Sequence, residues 1–124
     1  MSESENLASA KEGYEAFGRG DAEGAMKDIS DDIEWTVPGN SAISGTHRGK
    51  EELGAHWAQL AEKNPRIEVQ HMLADGDLVV VLSHVTLDGG EYDNADVMTY
   101  RDGQLVKFQS AGDTALSEQI FGSK

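Results

Sequence analysis

Two side chains in this sequence combine a proton-carrying residue type with surroundings that could put it to use: Asp96 and His56. Side chains alternate along a strand, so in the stretch from Tyr92 to Tyr100 the carboxyl of Asp96 shares one face with Tyr92, Asn94, Met98 and Tyr100. Apolar and aromatic company disfavours the charged form and raises a carboxyl pKa, which would make Asp96 a neutral acid or hydrogen-bond donor. The other reading is a surface or ion-paired aspartate. His56 follows Leu53 by three residues and precedes Leu60 by four, which places it on or beside the buried face of a helix. A neutral imidazole there can take or give a proton, or can be a half-buried histidine satisfied by one hydrogen bond.

Around these two, Trp35, Trp57, Met98 and Tyr100 are candidate walls of a ligand pocket, although Trp35 and Trp57 each sit in an apolar periodic segment that a core would also explain. Asp113 follows the last strand-like run and reads as a helix N-cap, with a reserve acid as its other role. His47 falls in an expected turn and His71 and His84 in expected strands, with no pair at the close helical spacing of a metal site. The expected metal is therefore none. There is no cysteine for thiolate chemistry and no glycine-rich nucleotide fingerprint, so no cofactor is expected either.

The elements that must hold these residues follow from hydrophobic period. Leu7, Ala10, Tyr14 and Phe17 mark a first amphipathic helix that Gly18-Arg19-Gly20 ends. Asp21 then caps a short second helix carrying Ala22, Ala25, Met26 and Ile29, and Ser30-Asp31-Asp32 separates it from an alternating run, Ile33 to Val37. Leu53, Trp57, Leu60 and Ala61 define a long helix over 49–63, stopped by Asn64-Pro65. Beyond it the period changes to two. Strands are expected over 66–75, 77–87, 92–101 and 104–110, joined by Asp-Gly turns into a meander. Helices first and strands after argue for an α+β domain over residues 1–124, with a helical layer on a curved antiparallel sheet around one pocket.

This order of elements, together with Gly20-Asp21, Trp35-Thr36-Val37-Pro38-Gly39, Ser44-Gly45-Thr46-His47-Arg48-Gly49 and Tyr100-Arg101-Asp102-Gly103-Gln104-Leu105, resembles the SnoaL-like branch of the nuclear transport factor 2-like superfamily, which includes ketosteroid isomerases and polyketide cyclases. The resemblance implies a cystatin-like cone, a homodimer formed through the sheet, and a pocket for a small apolar molecule. It also places Asp96 where the isomerases keep an aspartic acid neutral to donate a hydrogen bond to an oxyanion. His56 falls at a pocket-lining position of the long helix. Two features depart from the isomerase pattern. Their general base is an acid in the strand before the long helix, and Trp35 to Gly39 contains none. Their catalytic tyrosine on the first helix corresponds to Gly13, one residue from Tyr14. One residue is about 100° of helical rotation, so Tyr14 reads as core first and as a pocket residue second.

The remaining composition narrows the classes of partner. Twenty-three acidic against ten basic residues give a formal charge of −13, which repels nucleic-acid phosphates and anionic membranes and suits a soluble, acidic, cytoplasmic protein. No apolar run approaches the roughly 20 residues of a membrane span, and no leader pattern opens the chain. The expected function is a cofactor-independent enzyme of the isomerase, cyclase, dehydratase or hydrolase type, acting on an apolar oxygen-bearing substrate. The alternative is a non-catalytic ligand-binding or dimeric scaffold of the same fold. A protein-recognition module is less well supported, because no exposed aromatic or basic cluster is evident.

Overall fold

The computed structural model describes residues 2–124, and its elements follow the order α1 (Glu3–Gly18), α2 (Ala22–Ala25), β1 (Ile29–Val37), β2 (Gly45–Arg48), α3 (Gly49–Ala61), β3 (Arg66–Asp75), β4 (Leu78–Leu87), β5 (Gly90–Arg101), β6 (Gln104–Ala111) and α4 (Thr114–Phe121). The strands form one curved six-stranded sheet in the order β2-β1-β6-β5-β4-β3, with the long helices against its concave face. No helix among the described residues is long and apolar enough to cross a membrane.

Local chemistry explains most boundaries. Ser2 caps α1 by accepting from Glu5 N, Asp21 caps α2 through Gly24 N, and Asp113 caps α4 through Leu116 N, so these three helices start where a side chain satisfies an orphan amide. In the β5–β6 hairpin Asp102 and Gly103 both have positive φ, at 51° and 80°, the pattern of a two-residue turn whose twist matches the flanking strands. Along β4, Val79, Val81, Val85 and Leu87 are buried on the helix side, joined in the core by Ile33 of β1 and Leu53 and Trp57 of α3.

The structure departs from the sequence expectation in three places. Ile29 belongs to β1, not to α2, and the acidic Ser30-Asp31-Asp32 stretch lies within the strand. There the segment is captured by β6, with Ile29 opposite Leu105, Leu105 N donating to the Asp28 carbonyl at 2.8 Å, and a register shift before Glu34 absorbing the exposed aspartates. The β1–β6 pair is parallel, so the otherwise antiparallel sheet is mixed. His47 lies in strand β2, not in a turn, because Gly45 to Arg48 pairs with Val37 to Glu34. The third expected helix, the meander from β3 to β6 and the terminal helix after Asp113 form close to the positions read from the sequence.

Candidate functional site

Between the concave sheet and the helices lies a cavity of about 140 Å³, lined by residues from α1, α3, β1, β5 and β6. All seven candidate residues reach it: Tyr14, Trp35, His56, Trp57, Asp96, Met98 and Tyr100. Strand alternation turns Asn94, Asp96, Met98 and Tyr100 of β5 to the same side, and the register sets Ser110 opposite Asp96 and Phe108 opposite Met98.

Asp96 is 4% exposed and receives hydrogen bonds on both oxygens. The Tyr14 hydroxyl donates to Oδ2, and Asn94 Nδ2 donates to Oδ1 at 2.9 Å. Ser110 Oγ in turn donates to Asn94 Oδ1 at 3.2 Å, which fixes the amide with its NH₂ toward the carboxyl. Two opposed effects set the acidity of Asp96. Burial pushes its pKa up, while the hydrogen bonds from Tyr14 and Asn94, with Ser110 close by, favour the charged form, and burial prevails. The same contact works on Tyr14, whose phenol is held well above its usual range first by burial and then by the charge and hydrogen bond of Asp96. Tyr14 is therefore a pocket residue in contact with the candidate acid. The helix rotation that argued against it is taken up by packing, since Gly13 and Tyr14 both line the cavity.

His56 is 3% exposed, and its Nδ1 has no hydrogen-bond partner. Its ring stacks on His47 at 4.4 Å and 15°, and His47 is anchored in turn by Nε2–H donating to the Ile43 carbonyl at 2.9 Å. Burial, with a smaller effect from His47, lowers the His56 pKa from 6.5 to about 4, so the imidazole is neutral at neutral pH. The wall beside it is aromatic. Trp35 stacks on Phe108 at 3.5 Å and meets Trp57 edge-on at 5.6 Å, and Trp57 meets Phe17 edge-on at 5.4 Å. Where the isomerases carry their basic carboxylate, the cavity is lined by Val37 and Pro38.

Several lining residues carry no motif of their own. Ser110 and Phe108 enter through strand register, and Ser9 and Asp28 meet by tertiary approach, with Ser9 Oγ donating to Asp28 Oδ2 at 2.8 Å. Asp113 acts as the α4 cap, and His84 bonds Asp93 on the opposite face of the sheet. No group of three or more His, Asp or Glu among the described residues is arranged to hold a metal ion.

The sequence matches the SnoaL-like domain over residues 10–108. The chain belongs to the SnoaL-like family. Solved structures agree with the fold that this implies. A nuclear transport factor 2-like protein of unknown function from Burkholderia pseudomallei K96243 is 26% identical, with a TM-score of 0.85 over 99% of this chain and 100% of its own. A second such protein, from Burkholderia xenovorans LB400, is 28% identical with a TM-score of 0.84 over 98% of both chains. TerC, co-crystallised with polyporic acid, shares the fold at 23% identity and a TM-score of 0.82, over 96% of this chain and 99% of its own. No curated protein matches the sequence. This SnoaL-like chain therefore has a fold that binds small molecules and often serves enzymes, with a cavity whose chemistry must be argued from its own residues.

The lowered His56 pKa has a measurable consequence for stability. Between pH 6.5 and about 4 the unfolded chain binds a proton at His56 that the folded chain does not, so this residue makes stability fall as pH drops through that window. At about 1.4 kcal/mol per pKa unit the full effect is roughly 3 kcal/mol. Asp96, with its raised pKa, acts in the opposite sense, so the two are separated by difference. Urea unfolding of wild type and His56→Gln across pH 4–7.5 should show the variant gaining roughly 3 kcal/mol relative to wild type on acidification, whereas parallel curves would mean a solvated His56.

Proposed function

We propose that this chain is a cofactor-independent acid/base enzyme of the isomerase or cyclase type, acting on an apolar molecule that bears a carbonyl or similar oxygen. The observation that carries the proposal is the Tyr14–Asp96–Asn94 constellation, a buried carboxyl and a phenol hydrogen-bonded together at the wall of an aromatic cavity. A neutral Asp96, its carboxyl supported by the Tyr14 and Asn94 donors, offers an O–H that can stabilise negative charge developing on a substrate oxygen in a water-poor site. His56 supplies the complementary partner. Its neutral ring can accept the proton released when a C–H bond beside the carbonyl breaks, as the electron pair moves toward the oxygen held by Asp96 and Tyr14. A pKa of about 4 costs driving force in that transfer but keeps the ring unprotonated at neutral pH. Trp35, Trp57, Met98 and Tyr100 hold the apolar body.

A second reading, a binding protein without turnover, is favoured by Val37 and Pro38 standing where the isomerases carry their base. Purified protein assayed against enones, epoxides and polyketide-like ketones distinguishes the two. The enzyme reading expects turnover that falls about 10²–10³-fold in Asp96→Asn and about 10²-fold or more in His56→Gln. Tight binding with no turnover of any of these compounds establishes the binding protein instead.

The same reading places the protein in the cytoplasm as a homodimer joined through the outer face of the sheet. Leu73 and Leu78 are 58% and 41% exposed, and the register sets Leu73, Val80 and Val97 side by side across β3, β4 and β5, with Leu82 and Ala95 in the next row. An apolar band of this kind suits a self-complementary two-fold contact. Sedimentation should give a dimer for wild type and a folded monomer for Leu73→Asp/Val80→Asp, and a monomeric wild type at tens of micromolar would contradict the assignment.

A further inference from the structure

The cavity's polar groups fall into two sets with aromatic surface between them. One is Tyr14, Asn94 and Asp96. The other gathers where α1 passes the start of β1: Ser9 donates to Asp28 Oδ2 at 2.8 Å, and Tyr100 lies near both. Asp96 and Tyr100 stand four residues apart on β5, which at about 3.3 Å per residue separates their backbones by about 13 Å. The two sets therefore face a ligand from different ends, with Trp35, Phe108 and Met98 along its body.

The second set has acceptor capacity to spare. An ionised carboxylate offers about four acceptor positions, and Ser9 fills one of those on Asp28. None of the ion pairs among the described residues includes Asp28. Lys27, the one ammonium among the lining residues, is held by Glu12 at 3.1 Å and is largely exposed. Asp28 thus lines the cavity with no ion-pair partner of its own among the described residues.

Size limits the ligand as strongly as charge does. At about 140 Å³ the space within this half-open cavity is close to that of an engineered apolar cavity of about 150 Å³ that takes up one benzene molecule. A fused four-ring skeleton does not fit wholly within such a volume.

We propose that the cavity takes a compact single-ring molecule with an acceptor oxygen at the Tyr14–Asp96 end and a hydrogen-bond donor at the Asp28 end. This rests on the cavity being the ligand site, and the experiment separates the two claims. The indole N–H signals of Trp35 and Trp57 are followed by NMR while wild type and Asp28→Asn are titrated with three probes: 4-hydroxyacetophenone, acetophenone and a four-ring steroidal enone. Wild type should bind 4-hydroxyacetophenone about tenfold or more tighter than acetophenone, as expected for a hydrogen bond to a charged group, and should not bind the four-ring enone. Asp28→Asn, with an otherwise native spectrum, should remove that preference. Equal affinity for the two ketones, or a preference that survives in Asp28→Asn, overturns the proposed donor end. Perturbation of both indoles by the four-ring enone alone overturns the size limit while leaving the cavity as the ligand site. If no probe of either size perturbs them, both claims fall.

Discussion

A carboxyl withdrawn from water is tolerated only where its oxygens find donors, and Asp96 draws its two donors from α1 and β5, with support from a third element. Tyr14 reaches it from α1, Asn94 from its own strand, and Ser110 supports Asn94 from β6. These contacts fix how α1 lies over the sheet and which face of β5 turns inward. Met98 and Tyr100 are carried to the cavity by the same alternation, and Phe108 by the same register, so the aromatic wall is a consequence of how the acid is housed. Burial and hydrogen bonding pull the acidity of Asp96 in opposite directions, and a group balanced in this way is suited to proton chemistry.

The rest of the cavity follows from packing around that centre. Trp35 lies flat on Phe108 and edge-on to Trp57, which leaves an apolar surface against which an oxygen-bearing ring can be oriented. His56 is pressed between this wall and His47 without a partner for Nδ1, so its neutrality is a product of burial. Burial favours the neutral form of both the acid and the imidazole, protonated in one and unprotonated in the other, an arrangement that suits an acid/base pair at neutral pH.

Much of this was legible in the sequence because it rests on period and punctuation. The face of β5 carrying Asp96 follows from alternation, and His56 follows from its spacing to Leu53 and Leu60. The Asp-Gly turns fix the meander to within a residue or two, and Asp113 announces the last helix. What was not legible depends on contacts between distant segments. Ile29 becomes a strand residue only because β6 captures it, and β2 is too short for a hydrophobic period to register. Ser110 faces Asp96 through a register that includes a shift between Thr99 and Tyr100. The Ser9–Asp28 bond closes a gap of nineteen residues, and no local signal announces it. Tyr14 lay one residue from the position the family pattern favours, and only the packing of α1 decides that its hydroxyl meets Asp96.

The most direct measurement is a carbon-13 NMR titration of the side-chain carboxyls, with the Asp96 signal assigned by its loss in Asp96→Asn. The account predicts that Asp96 titrates above every exposed aspartate of the chain and moves higher still in Tyr14→Phe, where a hydrogen bond favouring the charged form is gone. An Asp96 that titrates with the exposed carboxyls, near the ordinary value of about 3.9, and does not respond to Tyr14→Phe would contradict it.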